Sequence, residues 1–226
     1  MKEIIIFGSA EVASLARYYF DNDSQFKVVG FTVDDDFVKE DMFDGLPLMP
    51  YSDVIKFSKN NKYGMHVALS YKNFNSLRRQ KYIQARNDGF ELVSYISSKS
   101  SIAKDFVYGE NCFILEDQTI QPNVIFGNNV VLWSGNHIGH GTVVKDHCYI
   151  ASQVVVSGHC VIDSETFIGV NSTVKDFTKV GKKVFIGMSA VVTRDLEDDS
   201  TVIASQSIIL NKDDRRAKVL KRKFFD

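Results

Sequence analysis

An apolar side chain returns at every sixth position between residues 96 and 186, with mostly polar or small residues in between. The repeating positions are Ile96, Ile102, Tyr108, Ile114, Ile120, Phe126, Leu132, Ile138, Val144, Ile150, Val156, Ile162, Ile168, Val174, Val180 and Ile186. A period of six fits neither an α-helix nor a heptad, and it is the repeat of parallel β-helices. We therefore predict a triangular prism in which each hexad supplies one short strand and a turn, and three hexads close a coil of about 18 residues.

Two further positions of the hexad are restricted. The fourth residue after the apolar one is small or β-branched and is predicted to point inward; all three cysteines, Cys112, Cys148 and Cys160, occupy it. Glycine often follows the apolar residue directly, which predicts tight corners with positive φ. These glycines are Gly109, Gly127, Gly139, Gly169, Gly181 and Gly187.

Residues 1–92 show a different pattern, in which apolar runs alternate with helical stretches. Strands are predicted over residues 2–7, 27–33, 66–70 and 91–95, with a turn-rich piece around 44–48. Helices are predicted after an N-cap at Ser9, near residues 51–60 and over 73–88. Such alternation with short loops favours a parallel sheet. The prediction is a Rossmann-like domain over residues 1–92, followed by a β-helix domain over 93–192.

Residues 193–226 depart from the repeat. A charged loop is followed by apolar pieces at 202–203 and 208–210, which predict one more, irregular turn. The basic stretch 212–225 is predicted to be a helix that covers the open end of the prism. Its alternative is attachment to a membrane surface through Lys221, Arg222, Lys223, Phe224 and Phe225.

The hexads, with the runs LWSGNHIGH (residues 132–140), IGVNS (168–172) and IGMSA (186–190), resemble the left-handed β-helix of hexapeptide acyltransferases. The likeness is to bacterial sugar acetyltransferases with a small Rossmann-like domain in front, of the sialic acid O-acetyltransferase or nucleotide-4-amino-sugar N-acetyltransferase type. It implies a small α/β Rossmann-like N-terminal domain, an all-β left-handed parallel β-helix and a C-terminal helix.

The resemblance also implies a function. The chain is expected to be a homotrimer that transfers an acetyl group from acetyl-CoA to an amino or hydroxyl group of a sugar, by direct attack. A nucleotide-linked 4-amino-4,6-dideoxy sugar is the leading acceptor, and a sialic-acid-type sugar is the alternative. A non-catalytic β-helix that binds a partner on its flat faces is the alternative from another class.

Composition narrows these expectations. The formal net charge is −1 and the pI is about 6.5, so no nucleic-acid partner is expected. The N-terminus is predicted to be a mature strand rather than a signal peptide, and no apolar run is long enough for a membrane span. Cys112 and Cys148 are predicted to lie two coils apart, and Cys160 on another face, which is too far for a disulfide. Reduced thiols and a cytoplasmic location are therefore expected.

His140 is the candidate general base. It follows the corner residue Gly139, so its side chain should point outward, and Gly158 one coil on leaves space beside it. A neutral imidazole suits removal of a proton from an attacking amine or hydroxyl. The resemblance places the catalytic histidine at this position, and His137 is the second candidate.

The surroundings of His140 leave alternatives open. In much of the family an acidic residue follows the histidine and orients it, whereas Gly141 follows here; Asp146 or a neighbouring subunit is then expected to supply the orienting group.

A zinc site is the competing possibility for these histidines. Residues at equivalent positions of successive coils share a column, however, and no three histidines converge on one subunit. No metal is expected.

Binding residues follow from the resemblance. The positions that match the coenzyme A groove between subunits are Gly158, Val170, Gly187, Met188 and Ala190. The usual Gly-x-Pro-Ala segment near the adenine is missing, and IASQ (residues 203–206) stands there.

Candidate substrate-binding residues lie in both domains: Ala10, Glu11, Asp34, Asp35, Ser70, Trp133 and Asn136. Asp34 and Asp35 match an acidic pair that contacts the nucleotide in relatives, but the first βα turn has only Gly8, and Glu11 would repel a phosphate. Nucleotide-sugar binding and a purely structural role of this domain both stay open, while a dinucleotide dehydrogenase is excluded by the missing glycine fingerprint. Asn136 points inward and stacks on Gln118, which also favours a structural role.

Overall fold

The computed structural model describes residues 1–58 and 63–225. Its N-terminal part is an α/β unit made of β1 (Lys2–Phe7), α1 (Glu11–Asn22), β2 (Phe26–Val33), a 3-10 turn (Asp35–Phe37), β3 (Met42–Phe43), β4 (Leu46–Pro50), α2 (Tyr51–Ser58), β5 (Gly64–Val67), α3 (Ser76–Asn87) and β6 (Glu91–Leu92). The strands form one six-stranded sheet in the order β3-β4-β2-β1-β5-β6.

The sheet is parallel except at one edge. The predicted turn-rich piece forms the antiparallel pair β3–β4, which reverses at Asp44 and Gly45, both with positive φ. The predicted cap at Ser9 is wrong, because α1 begins one residue later with Ala10 as the N-cap and no side-chain cap bond. The part of the second predicted helix at 59–60 lies outside the described residues.

Residues from 95 onward form the predicted parallel β-helix, which is left-handed. Its first face consists of Tyr95–Ile96, Phe113–Ile114, Val131–Leu132, Tyr149–Ile150, Phe167–Ile168, Phe185–Ile186 and Thr201–Val202. The second face consists of Ser101–Ile102, Thr119–Ile120, His137–Ile138, Val155–Val156, Thr173–Val174 and Val191–Val192. The third face consists of Ile125–Phe126, Val143–Val144, Val161–Ile162 and Lys179–Val180.

Three edges join these faces, and we name them by what they join. The first corner leads from the first face to the second, the second corner from the second face to the third, and the third corner back to the next first-face strand. Each strand pairs in register with the equivalent strand of the next coil, as Val131 does with Tyr149. The last coil is shorter, since Phe185 pairs with Thr201.

The core of the prism agrees with the predicted inward positions. Apolar residues such as Ile138 and Val144 are fully buried, and so are the small residues four positions after each of them. The three cysteines are buried and free, and burial raises the pKa of Cys112 to about 11 and of Cys148 to about 12. A buried, protonated thiol is a poor nucleophile, so these side chains pack the core.

The corners differ from the sequence prediction. The glycines that directly follow the apolar position do not have positive φ; instead the third residue after it does, whatever its type, as for Asn129 (57°) and His159 (57°). The glycines are needed for close approach of the next coil. A Cβ on Gly139 would lie 2.5 Å from the backbone nitrogen of Gly158, and no side chain fits there.

The first coil also departs from the repeat. Tyr108, predicted to point inward, is 47% exposed. Phe106 takes its place and packs on Phe126, with ring centroids 5.1 Å apart. No coil precedes this one on the third face, so Phe106 folds over the open end of the core.

The other end of the prism is not covered by the C-terminal helix, and that prediction is wrong. Helix α4 (Arg215–Phe225) leaves Val219 and Leu220 57% and 48% exposed. The shortened last coil closes the core itself, because Leu196, Val202 and Ala204 pack against it. The predicted irregular turn forms at residues 201–202, whereas Ile208 and Ile209 are exposed.

The α/β unit packs on the first face of the prism. One apolar cluster contains Ala16 and Phe20 of α1 together with Phe113, Val131 and Tyr149, the outward residues of three first-face strands. A polar contact joins the same parts at the third corner, where the buried Arg78 of α3 donates to several acceptors described below. The two parts therefore pack against each other through a common apolar core, and they are not joined by a flexible linker alone.

No helix within residues 1–58 and 63–225 is long and apolar enough to cross a membrane.

The buried His66 of β5 makes stability depend on pH. Its Nδ1 lies 2.9 Å from the carbonyl oxygen of Val93, the residue is 1% exposed, and burial lowers its pKa to about 4. The folded-state pKa is thus below the ordinary 6.5, so the stabilisation is complete above pH 6.5 and is lost as pH falls from 6.5 towards 4. We expect the free energy of unfolding to fall by roughly 3 kcal/mol over that range from this residue alone.

Urea unfolding at a series of pH values measures this loss. His66→Asn is the comparison, since its amide keeps a donor for Val93 but does not titrate; its unfolding free energy should depend less steeply on pH. The same slope in both proteins would contradict the assignment.

Candidate functional site

His140 lies on the second corner and its side chain is exposed, as predicted. The backbone N–H of His140 donates to Oε1 of Gln121 (2.9 Å), and Nδ1 of its ring lies 3.0 Å from the same oxygen. The ring rests over Gly158, where a Cβ would come 2.8 Å from its Cε1. The predicted space beside His140 is therefore present, and the imidazole occupies it.

A second histidine stands beside this ring. The centroids of His140 and His159 are 4.8 Å apart, with the rings nearly perpendicular, and His159 in turn stacks on Phe177 at 5.0 Å. Gly141 makes room for His159: a Cβ at position 141 would lie 2.6 Å from its Nδ1. The second corner thus carries a column of aromatic rings along the prism axis.

The other predicted partners of His140 lie elsewhere. His137 is half-buried in a second-face strand. Asp146 lies on the third corner, where its carboxylate accepts from the backbone N–H of Asn128 (2.6 Å), so it does not orient His140 of the same chain. His147 is buried against Asn129, and burial lowers its pKa to about 4. Its role is structural.

Two contiguous cavities lie between the α/β unit and the first face. The acceptor cavity, as we name it, has about 620 Å³ and is lined by Glu11, Val12, Leu15, Ser70, Tyr71, Lys72, Trp133 and Tyr149. The aromatic cavity has about 490 Å³ and is lined by Tyr71, Trp133, Tyr149, Ala151, Ser152, Phe167, Gly169, Val170, Phe185 and Met188. Tyr71, Trp133 and Tyr149 line both.

The aromatic cavity owes its wall to the repeat of the coil. Tyr149, Phe167 and Phe185 are outward residues of successive first-face strands and stack with centroids 5.5 Å apart. Tyr71 of the α/β unit packs edge-on against the first two of them, at 5.1 and 4.9 Å. Flat apolar walls of this kind bind the apolar faces of ligands.

A strained loop carries Tyr71 to this wall. Asn73, Phe74 and Asn75 have φ values of 52°, 56° and 62°, a run that is unfavourable for residues other than glycine. The buried Asn75 holds the loop in place, since its Nδ2 donates to the carbonyl oxygen of Glu165 (3.1 Å) and its Oδ1 accepts from Arg78 (3.0 Å). The rigid core of the protein therefore fixes the position of Tyr71.

The structure brings some predicted binding residues together and not others. Glu11, Ser70 and Trp133 meet in the acceptor cavity, and Val170 and Met188 line the aromatic cavity with 47% and 71% of their surface exposed. Gly187 lies on the first corner next to Met188, and Gly158 lies under His140 on the second corner.

The structure contradicts two of the predicted ligand contacts, substrate binding by Asn136 and coenzyme A binding by Ala190. The two residues are 2% and 1% exposed inside the prism, so their side chains cannot touch a ligand. Asn136 also does not pair side chain to side chain with Gln118. Its Oδ1 accepts from the backbone N–H of Val154 (2.7 Å), and the amide of Gln118 donates to backbone carbonyls such as that of Trp133 (2.8 Å). Both amides are structural.

Three further candidates lie at the carboxyl ends of β1 and β2, away from the cavity lining. Ala10 is the exposed N-cap of α1. Asp34 forms an ion pair with Lys81. Asp35 accepts from the backbone N–H of Ser52 at 3.1 Å, and the Ser52 side chain together with this backbone hydrogen bond lowers the pKa of Asp35. These carboxylates already have partners within the chain.

Sequence reasoning missed Tyr71, Lys72, Tyr149, Phe167 and Gln121. The recurrence of aromatic residues at 149, 167 and 185 was a signal for the wall, since these are equivalent outward positions of successive coils. Gln121 precedes His140 by about one coil of the prism, and this places it beside the histidine on the preceding coil.

Within the described part of the chain, no group of three or more His, Cys, Asp or Glu could hold a metal ion.

The candidate site is divided on a single chain. His140 and Gly158 lie on the second corner, whereas both cavities open on the first face and first corner. The two parts therefore belong to different edges of one prism.

Comparison with known proteins supports the architecture. No protein-family model matches the chain. An acyl-[acyl-carrier-protein]–UDP-N-acetylglucosamine O-acyltransferase of Sinorhizobium fredii is 29% identical over 104 residues, which are 43% of this chain and 38% of that protein. The match therefore spans well under half of that relative's length.

Solved structures match over nearly the whole chain. A histidine-to-asparagine mutant of perosamine N-acetyltransferase from Caulobacter crescentus, in complex with CoA and GDP-perosamine, has a TM-score of 0.79 at 18% identity and covers 91% of this chain and 98% of its own. The acetyltransferase domain of PglB from Neisseria gonorrhoeae has a TM-score of 0.73 at 18% identity, covering 89% and 96%. WeeI from Acinetobacter baumannii has a TM-score of 0.67 at 22% identity, covering 92% and 100%. These likenesses confirm the fold predicted from the hexads and the N-terminal alternation.

Proposed function

We propose that this chain transfers an acetyl group from acetyl-CoA to the amino group of a nucleotide-linked sugar, with His140 as general base. The observation that carries the proposal is the exposed imidazole of His140, held by Gln121 over the gap at Gly158, on the fold of the sugar N-acetyltransferases. The S. fredii relative supports this proposal, since its name describes acyl transfer to a sugar nucleotide.

The reaction needs little from the chain beyond position and a proton acceptor. The acceptor nitrogen attacks the thioester carbonyl as Nε2 of His140 takes one of its protons. The tetrahedral intermediate then collapses, the carbon–sulfur bond breaks, and His140 returns the proton to the departing thiolate. The cysteines are buried inside the prism and form no acyl-enzyme.

The donor groove is proposed along the exposed residues Val170 and Met188 and the gap at Gly158, with the buried Gly187 contributing only close backbone approach next to Met188. Small and apolar side chains suit the pantetheine arm, which is long and mostly uncharged. Ala190 is left out because it is buried.

The acceptor is proposed to lie in the two contiguous cavities. Lys72 supplies a positive charge for a phosphate, and Glu11 and Ser70 supply acceptors for sugar hydroxyls. The wall of Tyr149 and Phe167 suits the methyl group and the apolar face of a 4-amino-4,6-dideoxy sugar. Relatives of the same fold were solved with GDP-perosamine bound.

A homotrimer would complete the site. The α/β unit packs on part of the first face, whereas the other two faces leave apolar residues exposed, among them Ile125 (46%), Val155 (39%) and Val191 (67%). Contacts between two different faces generate a closed ring when the rotation between copies closes, as a threefold rotation does, and the divided site needs the second corner of one copy beside the cavities of another.

Light scattering after size exclusion tests the assembly. We expect a mass close to three times the 25.5 kDa of one chain across micromolar concentrations. Ile125→Glu should yield a folded protein of lower mass that has lost activity, because the divided site is then incomplete. A fully active monomer would contradict the shared site.

The function itself is tested by direct assay. Acetyl-CoA is supplied with a panel of nucleotide-linked 4-amino sugars and sialic-acid-type sugars, and product is followed by mass increase and by release of free thiol. We expect acetylation of at least one amino sugar, and thermal stabilisation by acetyl-CoA alone. A non-catalytic scaffold would show neither result with any member of the panel, including sialic-acid-type sugars.

A further inference from the structure

We propose that Gln121 is the positioning residue of His140, and that it holds the imidazole in the tautomer whose Nε2 is free to accept a proton. The role in catalysis rests on the proposed function. The tautomer itself follows from the hydrogen bonds and stands without it.

The direction of these hydrogen bonds is fixed by the backbone. The N–H of His140 can only donate, so the Gln121 atom 2.9 Å away must be the oxygen of the amide. The same oxygen lies 3.0 Å from Nδ1 of His140. An oxygen that only accepts requires a proton on Nδ1. In the neutral ring, Nε2 then carries the lone pair.

The ring has little freedom to turn away from this contact. Its Cε1 and Nε2 rest over Gly158, within 2.8 and 3.1 Å of where a Cβ would stand, and the His159 ring lies 4.8 Å to the side. The imidazole therefore contacts Gly158 of the next coil on one side, the ring of His159 on another, and the amide of Gln121 at Nδ1. Nε2 is the ring atom left without a protein acceptor in these contacts.

The orienting group comes from the preceding coil because residue 141 has no side chain and the His159 ring occupies the space beside it. A Cβ at Gly141 would lie 2.6 Å from Nδ1 of His159. The chain therefore has His159 where a side chain of residue 141 would otherwise go. Gln121, one coil earlier, reaches Nδ1 from the opposite side.

An amide and a carboxylate act differently on this histidine. Both accept the Nδ1 proton, but the amide adds no negative charge beside the ring. With Gln121 replaced by glutamate, the protonated ring would gain a charge-assisted hydrogen bond. The pH at which activity falls to half on the acid side should then rise, while the geometry stays nearly the same.

Three variants test the proposal. Gln121→Met keeps the length of the side chain but removes the acceptor, and kcat should fall by about 10- to 100-fold, with KM for acetyl-CoA unchanged. Gln121→Glu should restore kcat to within a few-fold of the parent and move the acid limb of its pH profile upward. Gln80→Met, the same exchange at an exposed position of α3, is the control and should match the parent.

Nitrogen-15 spectra of the histidine rings give a readout that needs no substrate. At a pH where His140 is neutral, the parent should show a protonated Nδ1 and an unprotonated Nε2, and Gln121→Met should show a mixture of both tautomers. A parent ring protonated on Nε2 would overturn the proposal.

Activity separates the two hypotheses. If the parent acetylates an amino sugar and His140→Ala does not, but Gln121→Met keeps kcat within twofold, the positioning role is wrong and the proposed function stands. If the parent acetylates nothing while the spectra show Nδ1–H only when Gln121 is present, the contact stands and the proposed function fails.

Discussion

Replacing His140 by alanine is expected to lower kcat for acetyl transfer by about 10²–10⁴, the range for loss of a general base. KM for acetyl-CoA should change little, because the exposed residues proposed for the donor groove do not contact this ring. The loss should shrink as pH rises, since a larger fraction of the acceptor amine is then already deprotonated in solution. Steady-state kinetics with both substrates varied, at several pH values, measures all three effects.

His137→Ala is the matched control. This histidine is half-buried in a second-face strand and lacks the contacts with Gln121 and the gap at Gly158 that hold His140. Its replacement should cost much less activity. Equal losses in the two variants would mean that both act as one unit, and a loss with His137→Ala alone would show that the base has been assigned to the wrong residue.

Replacing Arg78 by methionine is expected to lower the free energy of unfolding by about 3–5 kcal/mol. The guanidinium is fully buried and donates to the side-chain oxygens of Asn75 (3.0 Å) and Asn129 (3.2 Å) and to the carbonyl of His147 (3.0 Å). Burial lowers its pKa to about 10, so the group is still charged at neutral pH. Methionine fills part of the volume but removes the donor to the oxygens of Asn75 and His147, while Asn129 Oδ1 keeps its hydrogen bond from Asn111 Nδ2 (2.9 Å). The expected loss is a large fraction of a typical domain's stability.

Urea unfolding measures this loss, and the neighbouring residue supplies the control. Arg79 is 45% exposed and its Nε lies 3.9 Å from the buried Glu165, which keeps Lys182 Nζ at 3.4 Å when Arg79 is replaced, so Arg79→Met should cost much less than Arg78→Met. If Arg78→Met does not fold, Arg78→Lys keeps the charge with fewer donors and should show an intermediate loss. Equal stability of the Arg78 and Arg79 variants would contradict the role of the buried cluster.

The sequence predicted the prism well because its repeat is a direct consequence of geometry. Every third hexad lies on the same face, so one inward residue predicts the next, and Ile138 or Val156 could be placed without knowledge of any contact. The corners were harder. Positive φ occurs at the third residue after the apolar one in types as different as Asn129, His159 and Phe177, so side-chain identity gives little sign of it.

The site was predicted only in part, for two physical reasons. His140 and Gly158 could be related by counting, since they lie one coil apart within a single repeat. The positions of Tyr71 and Arg78 relative to the prism could not be predicted by counting, because these residues belong to the α/β unit, which lies outside the six-residue repeat. Asn136 and Ala190 were correctly predicted to point inward, but they were also named as ligand contacts because the resemblance marks positions along the repeat, whereas burial decides which side chains a ligand can reach.

The apolar cluster shared by α1 and the first face has a consequence for synthesis on the ribosome. Ala16 and Phe20 belong to one apolar cluster with Phe113, Val131 and Tyr149, and the last of these is translated long after β6 completes the α/β unit. A nascent chain that has reached only residue 92 therefore presents part of this apolar surface of α1 to water, until three coils have been translated. Chaperones that bind exposed apolar helices should hold this intermediate, and a gene shortened after residue 92 should give an aggregating product.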